Sequence, residues 1–249
     1  MIYRLGELFC GPGGIAWGAM NADIGIPDFR IVHQWANDYD ADTCNTYRHN
    51  ICPDAPETVY HEDIRKFDMS HLAPIDALAF GFPCNDYSVV GEQKGMNGVY
   101  GPLYSYGVKA LKMFKPIWFL AENVGGLKNA NDGKAFTKII AELKGAGYTV
   151  VPHLYKFEEY GIPQARHRII IVGIRNDIDV VYHVPSTALY ADVDNSCRTA
   201  IEVPPIPQNA FNNERTKQSP QVVERLTHIL PGQNAFTANL PEHLRLNIT

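Results

Sequence analysis

The sequence has no uninterrupted run of about eighteen apolar residues, the length a helix needs to cross a bilayer. Its first residues, Met1-Ile2-Tyr3-Arg4-Leu5-Gly6-Glu7, lack the charged-then-apolar layout of a secretory leader. Cysteine is scarce. Five in 249 residues is an odd number, which argues against a disulfide framework and for a reduced, cytoplasmic setting with free thiols. No internal repeat and no low-complexity tract is visible. A positive excess is missing too: 22 Lys+Arg face 27 Asp+Glu, a net charge of -5. Proteins that grip nucleic acid carry a basic excess or at least a basic face, so charge alone argues against a complete DNA-binding protein. What remains is ordinary. At 45% hydrophobic and 20% charged residues the chain can build one large domain, or one domain plus part of a second. Disorder and fibrous structure are excluded on the same composition.

Over the first 175 residues strand-like and helix-like runs alternate. Arg4 to Phe9 is a short strand that stops at glycines, and a small-residue helix starts near Ile15. Ile31 to Ala36 is a second strand, followed by helical character from Asp40 to Asn50, and Thr58 to His61 is a third. Ala77 to Phe80 and Ile117 to Leu120 have no polar face, as buried parallel strands do. Leu103 to Phe114 and Gly133 to Leu143 fit helices between strands, and Val150 to Phe157 and Ile169 to Val172 are later strands. This order predicts an α/β fold, with a mostly parallel sheet covered by helices on both faces. After Pro185 the periodicity fades, and only Val222 to Leu230 reads as helix. The boundary is therefore expected near residue 185, with 1–185 as one domain and 186–249 as a separate region.

Six features sit at or beside strand ends, and open α/β sheets bind ligands at the carboxyl ends of their strands. Phe9-Cys10-Gly11-Pro12-Gly13-Gly14 joins the first strand to its helix. Glycines there let a backbone approach a ligand closely at a helix N-terminus, although a plain tight turn has the same composition. The spaced G-x-G-x-x-G of dinucleotide binders is absent. Asp38, closing the second strand, can accept hydrogen bonds from ribose hydroxyls; alone it reads equally as a helix cap. Asp63-Ile64 follows the third strand, and its acid could receive an adenine amino group or simply close a turn. Pro83-Cys84 follows a buried strand, so Cys84 reads either as a nucleophile facing the crevice or as a small buried hydrophobe. Glu122-Asn123-Val124 ends the next strand and opens on the same edge, where a carboxyl can move a proton or anchor a loop. In Gln164-Ala165-Arg166-His167-Arg168 the two arginines share one face of an extended segment, with His167 on the other. Two guanidinium groups suit a phosphate or a base carbonyl, and they suit a salt-bridged surface as well.

Together, in this order, these clusters resemble the DNA (cytosine-5) methyltransferases. Phe9 to Gly14 is similar to the family's F-x-G-x-G-G, Pro83-Cys84 to its catalytic Pro-Cys, Glu122-Asn123-Val124 to its Glu-Asn-Val and Gln164 to Arg168 to its Q-x-R-x-R. Gly101-Pro102-Leu103 resembles the loop that closes over the methyl donor. The resemblance spans residue 4 to about 175. It implies a Rossmann-like S-adenosylmethionine-dependent fold, with S-adenosyl-L-methionine as methyl donor, S-adenosyl-L-homocysteine as product and cytosine in duplex DNA as acceptor. It also implies that Phe9, Gly11, Gly13, Gly14, Asp38, Asp63, Ile64, Pro83 and Leu103 hold the donor. Cys84, Glu122, Asn123, Arg166 and Arg168 would carry the chemistry, and Asn85, Ser88 and Arg166 would touch DNA. Cys10 is expected to be packing, and no metal is implied. A bacterial or phage-like restriction–modification setting follows, with no membrane partner.

Two departures accompany the resemblance. Asn85-Asp86-Tyr87-Ser88 stands where many members have Gln-x-Phe-Ser. The family's R-x-x-x-x-P-x-x-T and sheet-closing motifs are not found before Thr249. The latter leads to the expectation of a truncated or split enzyme, with residues 186–249 as the start of a recognition region and a second chain or missing segment as partner. Alternatives are a transfer-RNA cytosine-5 methyltransferase, a cofactor-binding subunit inactive by itself and, more distantly, a nicotinamide dehydrogenase.

Overall fold

A computed structural model of the chain describes residues 1–83, 103–129, 133–202, 205–210 and 217–246. They form two compact units, Met1–Cys197 and Arg198–Thr249. The change of sequence texture near residue 185 falls inside the first of these.

The first unit is a seven-stranded sheet in the order β3-β2-β1-β4-β5-β7-β6. Its strands are β1 (Ile2–Leu8), β2 (Arg30–Asp38), β3 (Val59–His61), β4 (Ala77–Gly81), β5 (Trp118–Val124), β6 (Tyr148–Lys156) and β7 (His167–Arg175). The first five pair in parallel, while β7 lies antiparallel to both β5 and β6. Helices α1 (Gly14–Met20), α2 (Ala41–Asn50), α3 (Tyr104–Phe114) and α4 (Lys134–Gly145) connect them. The expected α/β, mostly parallel architecture is present.

Alternation along β4 shows how sequence divides the two faces. Small Ala77 and Ala79 join the core that holds Ala16 of α1 and Cys44 and Tyr47 of α2. Large Leu78 and Phe80 join the core that holds Val108 and Leu111 of α3 and Ile139 and Leu143 of α4. Gly107 lets α3 lie close to the sheet, because a Cβ there would stand 2.5 Å from the Phe80 ring. Each large side chain buried this way contributes about 1.5–3 kcal/mol. β5 runs to Val124, beyond the apolar run that marks it in sequence, because β7 pairs with it as far as Val124 and Arg168.

Chain order creates the crevice. From β1 the sheet grows outward through β2 and β3 on one side and through β4 and β5 on the other. The carboxyl ends of β1 and β4 therefore diverge into helices on opposite faces, leaving an opening between Leu8 and Gly81.

In the second unit α6 (Pro220–Thr227) is capped by Ser219, whose hydroxyl accepts from the Val222 N–H at 3.4 Å, with Pro220 at its first position. It follows α5 (Cys197–Glu202), which begins at the end of the first unit. Arg225 Nε donates to the Leu244 carbonyl at 2.7 Å, and Leu240 and Leu244 are buried. No described helix is long and apolar enough to cross a membrane.

Candidate active site

β1 stops at Leu8 because Phe9 leaves the extended region, with φ 55°, a conformation costly for an aromatic residue. The turn after it is fixed from β2. Cys10 N–H donates to the Asn37 carbonyl at 3.1 Å, and Gly11 N–H donates to Asp38 Oδ2 at 2.8 Å. Asp38 Oδ1 accepts from the Asp40 N–H at 3.0 Å. Gly13 is the N-cap of α1 at φ 97°, where a Cβ would stand 2.7 Å from Ile51 Cγ1. Only glycine satisfies both the dihedral and the packing.

A cavity opens beside this turn, lined by Phe9, Asn37, Tyr39, Asp63, Ile64, Arg65, Pro83 and Leu103. The structure thus gathers Phe9, Asp63, Ile64, Pro83 and Leu103, which sequence had assigned to one ligand. Asp38, Gly11, Gly13 and Gly14 are not among its walls. Asp38 is nearly buried and holds the turn from behind, while Gly13 and Gly14 border a neighbouring depression with Trp17 and Ile51. Asn37, Tyr39 and Arg65 went unnoticed in sequence, although each flanks a singled-out acid. Arg65 Nε donates to Asp63 Oδ1 at 2.9 Å, and this guanidinium holds the Asp63 carboxyl down at about 2. Asp63 is therefore a carboxylate held ionised at the cavity wall, paired with Arg65 and set among Phe9, Ile64, Pro83 and Leu103.

On the other side of β4, Glu122 of β5 pairs with Arg168 of β7, Nε to Oε1 at 2.7 Å. The register explains it: Val124 faces Arg168 and Glu122 faces Ile170, so Glu122 and Arg168 are diagonal neighbours on one face. Asn123 points oppositely and is buried; its Nδ2 donates to the Phe82 carbonyl at 2.9 Å, holding the end of β4 in place. Arg166 lies just before β7 and is exposed. The chain turns there, with Arg166 N–H donating to the Gln164 carbonyl at 2.9 Å. His167, on the opposite side from Arg168, meets Glu158 Oε1 at 2.6 Å.

Cys84, Asn85 and Ser88 lie outside the described residues, as do Gly101 and Pro102. Among the described cysteines, Cys10, Cys44 and Cys52 are buried, and burial pushes all three thiols up, so they remain protonated.

A glycine turn beside an acid-bearing cavity, with a carboxylate–guanidinium pair at the next strand ends, can be compared with known proteins. Residues 3–247 match the family model for C-5 cytosine-specific DNA methylase. The chain belongs to the C-5 cytosine-specific DNA methylases. Type II methyltransferase M.BbvI of Brevibacillus brevis is 54% identical over 260 residues, covering 100% of this chain and 68% of that protein. Type II methyltransferase M.NgoFVII of Neisseria gonorrhoeae is 32% identical, covering 95% of this chain and 62% of its own length. Among solved structures, the S. pombe Dnmt2 methyltransferase superposes with a TM-score of 0.51 at 16% identity, covering 97% of this chain and 65% of that one. The Entamoeba histolytica methyltransferase EhMeth gives 0.54 at 18% identity, covering 75% and 57%. These two likenesses speak for the fold alone. This C-5 cytosine-specific DNA methylase chain thus spans about two thirds of the two curated relatives named here.

Proposed function

We propose that this methylase transfers a methyl group from S-adenosyl-L-methionine to carbon-5 of cytosine in duplex DNA, as a Type II modification methyltransferase. The observation that carries the reading is the pairing of two sites across β4. A cavity with one fixed acid lies on one side, and Glu122 bonded to Arg168 lies on the other. The cavity fits the donor, because Phe9, Ile64, Pro83 and Leu103 offer apolar walls to an adenine ring and Asp63 offers an acceptor to its amino group. Asp38 braces the turn through both its carboxylate oxygens and is the acceptor nearest in sequence to the cavity wall residues Asn37 and Tyr39 for the ribose hydroxyls. When bound, S-adenosyl-L-methionine supplies an electrophilic methyl group.

Carbon-5 of cytosine is a poor nucleophile inside a base stack, so the base must be flipped out of the duplex. The Cys84 thiolate adds to carbon-6, which makes carbon-5 electron-rich. Glu122 holds a proton at ring nitrogen-3, where the charge from that addition develops. Arg168 keeps the Glu122 carboxyl placed and presents its remaining donors to the base carbonyl. Once carbon-5 carries the methyl group, loss of its proton restores the ring double bond and expels Cys84. Asn123 acts at a distance from the base, holding the main chain at Phe82 just before Pro83-Cys84. Asn85, Ser88 and Arg166 contact DNA.

Replacing Asp63 with alanine removes a charged acceptor, and binding of S-adenosyl-L-homocysteine should weaken by about tenfold to a hundredfold. Isothermal calorimetry on the folded variant reads this directly. An unchanged affinity would remove adenine from the proposed place.

A further inference from the structure

Beneath the glycine turn runs a chain of hydrogen bonds, buried at Glu7 and Tyr47 and half-buried at His33 and Thr58, that the proposed reaction leaves unused. Glu7, on central strand β1, is fully shielded from solvent. Its Oε2 lies 3.0 Å from the Tyr47 hydroxyl of α2, and that hydroxyl lies 3.1 Å from His33 Nδ1 of β2. His33 Nε2 lies 2.8 Å from Thr58 Oγ1, and the Thr58 hydroxyl donates to the Ala55 carbonyl at 2.6 Å. The Tyr47 ring also supports the turn: a Cβ at Gly13 would stand 3.0 Å from Tyr47 Cδ2.

Counting protons along this chain gives it a direction. A carbonyl has none to give, so the single Thr58 hydroxyl proton is committed to Ala55. Thr58 Oγ1 then accepts from His33, which makes Nε2 the protonated nitrogen. In a neutral imidazole Nδ1 is an acceptor, and it takes the Tyr47 hydroxyl proton. The Tyr47 oxygen is left accepting from Glu7 Oε2, so Glu7 carries a proton there. One other assignment uses the same number of protons: cationic His33, ionised Glu7 and Tyr47 donating to the carboxylate. Burial opposes both charges, pushing the Glu7 carboxyl up to about 8 and the His33 imidazole down to about 4. Glu7 Oε1 has no partner among the described residues, which an ionised carboxylate would tolerate poorly. The titratable groups around Glu7 are Tyr47 and Cys44 of α2, Cys52 beyond it, His33 and Asp38 of β2 and Cys10 of the turn. α1 contributes Ala16 with the partly buried Ile15 and Ala19, and β4 contributes Ala77 and Ala79, all apolar. None of these brings a fixed positive charge.

We propose that Glu7 is a positioning residue that works as a neutral carboxylic acid, holding Tyr47, and through it the glycine turn, in the place the methyl donor needs. The proposal rests on reading that turn as part of the donor site. When Glu7 ionises, Tyr47 must turn its proton toward the carboxylate, His33 Nδ1 loses its donor, and the ring under Gly13 loses its anchor. The folded-state value lies above the ordinary 4.5, so this stabilisation is full below about 4.5 and is lost as pH rises through about 8.

Glu7→Gln tests this, because an amide donates to Tyr47 at every pH. Wild-type protein should lose thermal stability relative to E7Q between pH 5 and pH 9. Its infrared spectrum at pH 6 should contain a carboxylic-acid carbonyl band that E7Q lacks. In calorimetry, S-adenosyl-L-homocysteine should bind both proteins alike at pH 6 and bind E7Q more tightly at pH 9. Tyr47→Phe keeps the ring but breaks the chain, and should weaken binding about tenfold at pH 6. Parallel pH profiles for wild type and E7Q, absence of the E7Q-sensitive band, or nitrogen-15 shifts of a doubly protonated His33 would each overturn the proposal. Failure of the product to bind at any pH, with the band present, would instead overturn the donor-site reading and the positioning role with it, leaving the protonated carboxyl standing.

Discussion

Replacing Cys84 with alanine should reduce methyl transfer to background while leaving binding of S-adenosyl-L-homocysteine unchanged. Carbon-5 of cytosine becomes nucleophilic only after something adds to carbon-6, so no remaining group can substitute for the thiolate. Of the four described alternatives, burial keeps Cys10, Cys44 and Cys52 protonated, and the exposed Cys197 begins α5 with its thiol donating to the Pro163 carbonyl at 3.3 Å. Duplex DNA with 5-fluorocytosine at the target should form a covalent adduct with the wild-type protein, because fluorine prevents the final proton loss. Denaturing electrophoresis resolves this adduct. Its formation by the Cys84→Ala protein would take the nucleophile away from Cys84.

Glu122→Gln should lower the turnover rate by about a hundredfold to ten-thousandfold, the range for losing a proton-transferring group. The amide keeps the size of the side chain and its place beside Arg168, so donor binding and thermal stability should change little. Single-turnover kinetics separates this from a DNA-binding defect. If rate and stability fell together, Glu122 would be holding the β5–β7 pairing rather than serving the base. Arg168→Lys provides the companion measurement. A lysine retains the charge but not the fork that spans carboxylate and base, so turnover should fall while the ion pair persists.

How much of this could be read from sequence depended on whether one segment or two were needed. The glycine turn, the apolar strands and the acids Asp38 and Asp63 are local features, and each lies at the end of the strand that precedes it. The pairing of Glu122 with Arg168 is not local. It depends on β7 entering the sheet antiparallel between β5 and β6, which brings residues 46 positions apart into diagonal register. Of two arginines spaced by two, Arg168 lies on β7 and Arg166 just before it, beside the tight turn at Gln164. Asp38 illustrates the same limit. It sits where a ribose acceptor belongs, but its bond to the Gly11 N–H needs β1 and β2 side by side. Glu7 left one sequence signal, an acid between Leu5 and Leu8 at the buried end of its strand, which becomes informative only when Tyr47 and His33 are seen around it. Net charge is a sum over the whole chain and carries no information about any single face.

The central claim is that this fold methylates carbon-5 of cytosine in duplex DNA. The most direct measurement is nucleoside analysis of DNA incubated with the full-length protein and methyl-labelled S-adenosyl-L-methionine, with transfer RNA incubated in parallel. The account predicts label recovered as 5-methylcytosine from duplex DNA and abolished by Cys84→Ala. Label on an exocyclic amino group, or in transfer RNA but not DNA, would contradict it.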